Sequence, residues 1–140
     1  MAVMSTVLRG LASAGLAVDA GIHLKLAHRY TPVASSTISE GMLFRLEAIA
    51  AIVALLLVVF WRHRAGDAFA WLTAAAGLAA IVLYRYADPG SLGPLPDMYE
   101  PIWFAEKFWA VAGQAVAIVA LAPLIALPRW AGRKAHTAAD

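Results

Sequence analysis

The sequence contains no cysteine and few charged side chains. Without cysteine, the chain has no disulfides, no thiolate metal site and no thiol redox chemistry of its own. Of its 140 residues, only 14% are charged and 62% are hydrophobic. Soluble domains carry about 25% charged residues. The side chains present are therefore too apolar to cover a water-facing surface.

Two long stretches have almost no polar side chain. Residues 48–61 have none, and residues 69–83 have only Thr73. Helices of soluble bundles have distinct apolar and polar faces, so helices that are apolar all round are typical of lipid. A membrane span takes about 20 helical residues. The sequence predicts an all-α, up-down-up-down four-helix membrane bundle: a single domain, 1–140, with helices at about 5–27, 42–61, 68–86 and 103–127 and a short basic tail at 128–140.

The predicted link between the third and fourth helices is rich in proline and glycine. It contains Pro89, Gly90, Gly93, Pro94, Pro96 and Pro101. Proline lacks a backbone N–H and glycine favours turns, so this composition precludes a helix. We expect an ordered or extended cap over one end of the bundle.

Charge predicts the orientation. One side of the predicted bundle has six basic and two acidic residues: Arg9, Arg62, Arg64, Arg129, Arg133 and Lys134 with Asp67 and Asp140. The other has five basic and seven acidic residues: Lys25, Arg29, Arg45, Arg85 and Lys107 with Asp19, Glu40, Glu47, Asp88, Asp97, Glu100 and Glu106. Cytoplasmic loops carry an excess of Lys and Arg. Both termini are therefore predicted to be cytoplasmic in a multi-pass protein of the cell membrane.

Polar residues inside the predicted spans concentrate near the non-cytoplasmic end, and the cytoplasmic halves carry almost nothing polar. An ionisable residue inside a membrane is costly to bury and often marks function. Helical spacing places Asp19 with His23 on one face, Glu40 with Phe44 and Glu47 on another, and Glu106 with Gln114 on a third. We predict an outward-facing pocket under the third link. Its candidate ligand-binding residues are Asp19, His23, Arg45, Glu47, Glu106 and Gln114.

A metal site is one interpretation of this cluster. One histidine with carboxylates is a plausible ligand set for a divalent transition metal, and the candidates are His23, Asp19, Glu47 and Glu106. A b-type haem is not expected, because no two histidines lie at the same depth on facing helices. The alternative is structural: Lys25, Arg45, Arg85 and Lys107 reach the headgroups, and Asp19 pairs with one of the first three.

Three functions fit these patterns. The first is a binding or accessory subunit that holds an ion, lipid or quinone-like ligand, alone, as a homo-oligomer or in a larger membrane complex. The second is a membrane enzyme acting on an amphiphilic substrate, with Glu47 or Glu106 as general acid or base and His23 as partner. The third is a small oligomeric ion or proton pathway through Asp19 and Glu47.

The bilayer is the expected environment, and no nucleic-acid partner is expected. The layout is similar to that of small bacterial membrane proteins of the DoxX-like group, with no shared motif to transfer a function.

Overall fold

The computed structural model describes residues 2–127. The predicted basic tail, with Arg129, Arg133 and Lys134, lies outside these described residues. The described chain is all-helical, with helices α1 (Ala2–Ala27), α2 (Glu40–Leu56), α3 (Arg64–Tyr86) and α4 (Ala105–Ala126), and α2 continues as a π-helix over Leu57–Trp61. Within residues 2–127, four helical segments are long and apolar enough to cross a membrane.

Two helices begin earlier than the sequence predicts because side chains cap them. Ser39 precedes α2, and its hydroxyl accepts a hydrogen bond from the Met42 backbone N–H at 3.1 Å. His63 precedes α3, and its Nδ1 accepts from the Ala65 N–H at 3.2 Å. The second link is therefore only two residues long, and Asp67, which we expected in that link, lies within α3. At the other end of the chain, α4 begins at Ala105 rather than at Trp103.

The helices pack in a ring: α1 contacts α2 and α4, and α3 contacts α4 and, more sparsely, α2. Gly15 of α1 and Gly113 of α4 mark a close backbone approach between their helices. A Cβ built at Gly113 would lie 2.7 Å from the Gly15 carbonyl oxygen, so neither position has room for a side chain. Small residues at such crossings let helices pack tightly where lipid supplies no hydrophobic driving force.

One end of the bundle, here called the Arg9 end, contains a buried ion pair. Arg9 of α1 donates to both carboxylate oxygens of Asp67 on α3, at 2.7 and 2.8 Å, and to the Val58 carbonyl oxygen at 2.9 Å. Both side chains are almost completely enclosed. The expectation that these halves of the spans carry almost nothing polar is therefore wrong. The sequence does not predict this pair, because Arg9 lies near the chain start and Asp67 falls in the predicted link between the second and third helices.

The opposite end, here called the loop end, is closed by residues 87–104. Glu100 holds this segment: its carboxylate accepts from the Tyr30 hydroxyl, and its N–H donates to the Tyr84 carbonyl at 3.0 Å. Lys107 donates to the carbonyl oxygens of Glu100 and Ile102, both at 2.9 Å. These contacts fix a non-helical segment across the ends of the helices, in accord with its proline and glycine content.

Between the two ends lies a core of small and aliphatic side chains. Its fully enclosed members include Leu16, Val58 and Leu121, surrounded by alanines of all four helices. Small side chains allow the helices to approach closely in this half of the bundle. Toward the loop end the packing opens, and the space there forms the candidate site.

Candidate functional site

A cavity of about 470 Å³ lies between the helices at the loop end. Most of its wall is apolar, with Leu26, Leu43, Ala50 and Ile81 among the lining residues. Its aromatic lining side chains are Phe44, Tyr30, Tyr84 and Phe104, and its ionisable ones, tyrosines aside, are His23, Glu40, Glu47, Glu100 and Lys107. The cavity is therefore an apolar chamber with ionisable groups at particular places.

The deep end of the cavity adjoins a group of four polar side chains, Asp19, His23, Glu47 and Gln114, here called the polar floor. Asp19 of α1 and Gln114 of α4 are completely buried. The Gln114 Nε2 donates to Asp19 Oδ1 at 2.8 Å. His23 Nδ1 lies 2.9 Å from the Asp19 carbonyl oxygen and 3.0 Å from Asp19 Oδ1. Because both neighbours are acceptors, Nδ1 carries a proton and donates to them.

Glu47 reaches the polar floor from α2, opposite Gly77 of α3. A Cβ built at Gly77 would lie 2.8 Å from Glu47 Oε1 and closer still to Gln114 Nε2. The missing side chain of Gly77 thus leaves space that both Glu47 and Gln114 approach. At 1.5 Å per residue, Asp19, Glu47 and Gln114 lie about 10–14 Å from the loop-end termini of their helices, and His23 lies about 6 Å from the end of α1. Side chains of α1, α2 and α4 therefore form one layer beside Gly77 of α3.

Hydrogen-bond acceptors outnumber donors in this layer. Asp19 Oδ2, Glu47 Oε1 and Gln114 Oε1 are buried and have no hydrogen-bond partner among the described residues. The donors that face them, Gln114 Nε2 and His23 Nδ1, are both directed at Asp19. Buried polar atoms in native proteins are nearly always paired. A donor from outside the chain would complete this layer.

A row of rings connects the polar floor to the loop end. The edge of one ring faces the other in the His23–Phe44 pair, with centroids 5.2 Å apart, and Tyr30 follows at 5.0 Å from Phe44. Burial and the Glu100 carboxylate raise the pKa of the Tyr30 hydroxyl. The hydroxyl therefore stays protonated and donates to Glu100 throughout the physiological range.

A second acidic position lines the cavity nearer the loop end. Glu40 begins α2 and is only 6% exposed. It lies four residues before Phe44 and seven before Glu47, and all three side chains line the cavity. Glu100 and Lys107 line the same region. The loop-end part of the cavity lining therefore has two acidic groups and one basic group.

The structure brings together four of the six candidate residues, namely Asp19, His23, Glu47 and Gln114. Glu106 lies elsewhere: its carboxylate accepts from Lys25 Nζ at 2.9 Å, outside the cavity lining. Arg45 is exposed, and its Nη2 is 3.5 Å from the Thr31 hydroxyl. Asp19 pairs with none of Lys25, Arg45 and Arg85, which were its predicted structural partners.

The candidate metal set is not assembled as we expected. Among residues 2–127, no three His, Asp or Glu side chains are placed to hold a metal ion. Asp19, His23 and Glu47 approach one another, but the fourth candidate, Glu106, is bound to Lys25. The layer has too few converging donor atoms of its own for a transition metal.

Three further residues belong to the site but are not among the six candidates: Gly77, Tyr30 and Glu40. Helical spacing places Glu40 on the face of Glu47, and that spacing is the signal that points to it. Gly77 is one small residue among the many alanines of α3, and nothing in the sequence links Tyr30 to Glu100, 70 positions away.

No known family, characterised protein or solved structure matches this chain. Function must therefore be argued from the cavity and its polar floor.

Proposed function

We propose that the protein spans the cell membrane four times as an up-down-up-down bundle and binds a small amphiphilic ligand in the cavity. It would act as a binding or accessory subunit, with both termini in the cytoplasm. The contacts between helix ends support the topology. Arg9 near the start of α1 contacts the end of α2 and the start of α3, and Lys25 near the end of α1 contacts the start of α4.

Charge supports the orientation. With Arg9 and Asp67 paired inside the bundle, Arg62 and Arg64 still flank the start of α3 at the Arg9 end. The loop end has Glu40 and Glu100 beside Lys107 and is more acidic. Net charge therefore favours an Arg9 end that faces the cytoplasm and a cavity that faces outward, while Lys and Arg alone, six against five over the whole sequence, differ only slightly between the two ends.

The observation that carries the binding proposal is an apolar chamber next to a buried, incompletely bonded polar layer. Ligand pockets occupy about 300–1,000 Å³ and combine apolar walls with a few placed polar groups. At about 470 Å³, this cavity falls within that range. A ligand would place its head against Glu47 and His23 and its apolar body along Phe44 and Leu43.

An acid–base enzyme is the second candidate. His23 and Glu47 both line the cavity, so both can reach a bound substrate, and proton transfer requires such reach. His23 Nδ1 is bonded to Asp19, which leaves Nε2 as the atom that would accept a proton. The binding role takes precedence because, among the described residues, no serine, threonine or cysteine lines the cavity beside the pair.

Native mass spectrometry of the protein in nanodiscs tests the binding proposal. We expect the wild-type chain to carry a stoichiometric small molecule from its native membrane. Ala80→Phe, which fills the cavity wall, should lose it, and Ala79→Phe, at an exposed neighbour outside the lining, should keep it. Equal occupancy in the two variants, or a bare wild-type chain, would contradict the proposal.

A further inference from the structure

We infer that the ligand is an apolar molecule with a protonated amine head, and that Glu47 is its counter-ion. This inference rests on the proposed function, because it names the chemistry of the molecule in that cavity. Its basis is the arrangement of charges and hydrogen-bonding atoms at the polar floor.

The first step is the demand for donors. Three buried oxygens, on Asp19, Glu47 and Gln114, lack partners within the described chain. In its neutral form, His23 adds a fourth acceptor, because an imidazole that donates from Nδ1 presents a lone pair at Nε2. A ligand rich in acceptors, such as a quinone or a carboxylate, would leave this demand unmet. An ammonium group supplies up to three N–H donors.

The second step is charge. The polar floor contains two carboxylates, and neither Lys nor Arg belongs to it. Asp19 is stabilised by Gln114 and His23, whereas Glu47 has no hydrogen-bond partner among the residues described. An unpaired carboxylate within apolar spans is costly. A cation in the adjoining cavity removes that cost and gains a strong, desolvated ion pair.

The third step is the surrounding wall. Phe44, Tyr84 and Phe104 line the chamber, and ring faces attract cations, more strongly where water is excluded. The loop-end part of the lining is compatible with a cation. The Lys107 ammonium is bound to two loop carbonyls, and the two acids Glu40 and Glu100 line the same region. An amine in this part of the cavity would therefore meet a net acidic lining.

The experiment compares three probes with the same alkyl body: decylamine, decanol and decanoate. Each is titrated into wild-type protein in nanodiscs of neutral lipid, and bound probe is counted by native mass spectrometry. We expect decylamine to bind most tightly. Glu47→Gln should weaken it by at least about thirtyfold, since a desolvated charge pair is lost. Glu106→Gln, which changes an acid outside the cavity, should leave it unchanged.

The outcomes separate the inference from the proposed function. Equal binding of the three probes, or decylamine binding indifferent to Glu47→Gln, overturns the inference and leaves a general amphiphile site. Failure of all three probes to bind overturns both. If Glu47→Gln does not fold, Glu47→Asp replaces it. That variant keeps the charge but withdraws it by one methylene, so it should still prefer amine over alcohol while binding decylamine more weakly than the wild type. Unchanged decylamine binding would refute the role of Glu47.

Discussion

Gly77 is the residue whose lack of a side chain makes the polar floor possible. Glu47 and Gln114 come from helices on either side of α3, and both head groups approach the Cβ position that this glycine leaves empty. Glycine in a helix interior costs about 1 kcal/mol relative to alanine, so the space comes at a cost in helix stability. At the scale of single residues, the site therefore depends on one omission as much as on its ionisable groups.

Gly77→Ala should damage both stability and binding. The new Cβ would lie 2.8 Å from Glu47 Oε1 and closer to Gln114 Nε2, so both side chains must move. We expect a loss of about 1–3 kcal/mol in the free energy of unfolding, as for other overpacked sites. Gly21→Ala is the matched control, since nothing lies within 4 Å of its Cβ position. Denaturant unfolding in detergent measures both variants, and equal stabilities would refute the crowding argument.

Individual residues also show how far the sequence predicts the site. The spacing of Asp19 and His23 placed them on one face, where they do contact each other. Spacing placed Glu106 on the face of Gln114, yet Glu106 is bound to Lys25 of α1. Periodicity assigns a face, but a long side chain near a helix end follows its nearest opposite charge. That charge comes from another helix, and one sequence does not reveal the pairing.

At the scale of elements, the Arg9–Asp67 pair joins α1 to α3 and, through the Val58 carbonyl, to the π-helix that ends α2. The carbonyls of a last helical turn lack intrahelical partners, and a cation there is favourable. One guanidinium thus stabilises the start of α3, through Asp67, and the C-terminal end of α2, through the Val58 carbonyl.

Arg9→Met should cost about 3–5 kcal/mol in the free energy of unfolding, because Asp67 would lose its bidentate partner inside the bundle. Arg29→Met, at an exposed arginine, should change stability by less than about 0.5 kcal/mol. Denaturant titration of the two variants under the same conditions makes the comparison. A similar small effect for both would mean that the buried pair contributes no more than a surface charge.

The loop segment 87–104 depends on Tyr30 in the same way. Tyr30→Phe removes the hydrogen bond to Glu100 and should cost about 1–2 kcal/mol. Amide hydrogen exchange around Glu100 should then accelerate, with exchange in α4 near Gln114 as the internal reference. Unchanged protection at Glu100 would show that its N–H bond to Tyr84 and the Lys107 contacts hold the segment alone.

This tyrosine also predicts a pH dependence. The folded pKa of Tyr30 is raised by burial and by Glu100, so the folded state holds its proton more tightly than the unfolded state. The resulting stability is fully present below the unfolded value of about 10 and falls as pH rises above it. The difference in unfolding free energy between wild type and Tyr30→Phe should therefore shrink above about pH 10. A constant difference up to pH 11 would contradict the raised pKa.

Across the whole molecule, the apolar runs predicted the number of helices, because long uninterrupted hydrophobic segments have few other structures open to them. Their starts were less predictable, since Ser39 and His63 add the first turns of α2 and α3 through single capping bonds. The sequence predicts a pocket at this end, under the third link, but not which side chains line it. The lining depends on helix rotation and side-chain volume throughout the bundle, including the sparse contact between α2 and α3.

The apolar layer between the two ends of the bundle bears on ion conduction. About 15 Å of helix separates Asp19 from Arg9. Over that length the core is Leu16, Val58, Leu121 and alanines, with Ser13 and Thr73 as its polar exceptions. Ions and protons need a continuous polar or hydrated route, and Ser13 and Thr73 alone do not form one across this layer. A cavity on one side of an apolar layer is suited to holding a ligand, and we therefore propose that the bundle does not conduct ions.

Proteoliposomes should therefore show no proton or cation flux above that of protein-free vesicles under an imposed pH or potassium gradient. Asp19→Asn should not change this baseline, because in our account Asp19 organises a binding layer and is not a step in a pathway. A pH-sensitive dye inside the vesicles reports the flux, and a known ionophore added at the end confirms that the gradient was intact. Flux that appears with the wild type and disappears with Asp19→Asn would mean that the apolar layer opens. The polar floor would then belong to a conduction route, and the binding proposal would have to be abandoned.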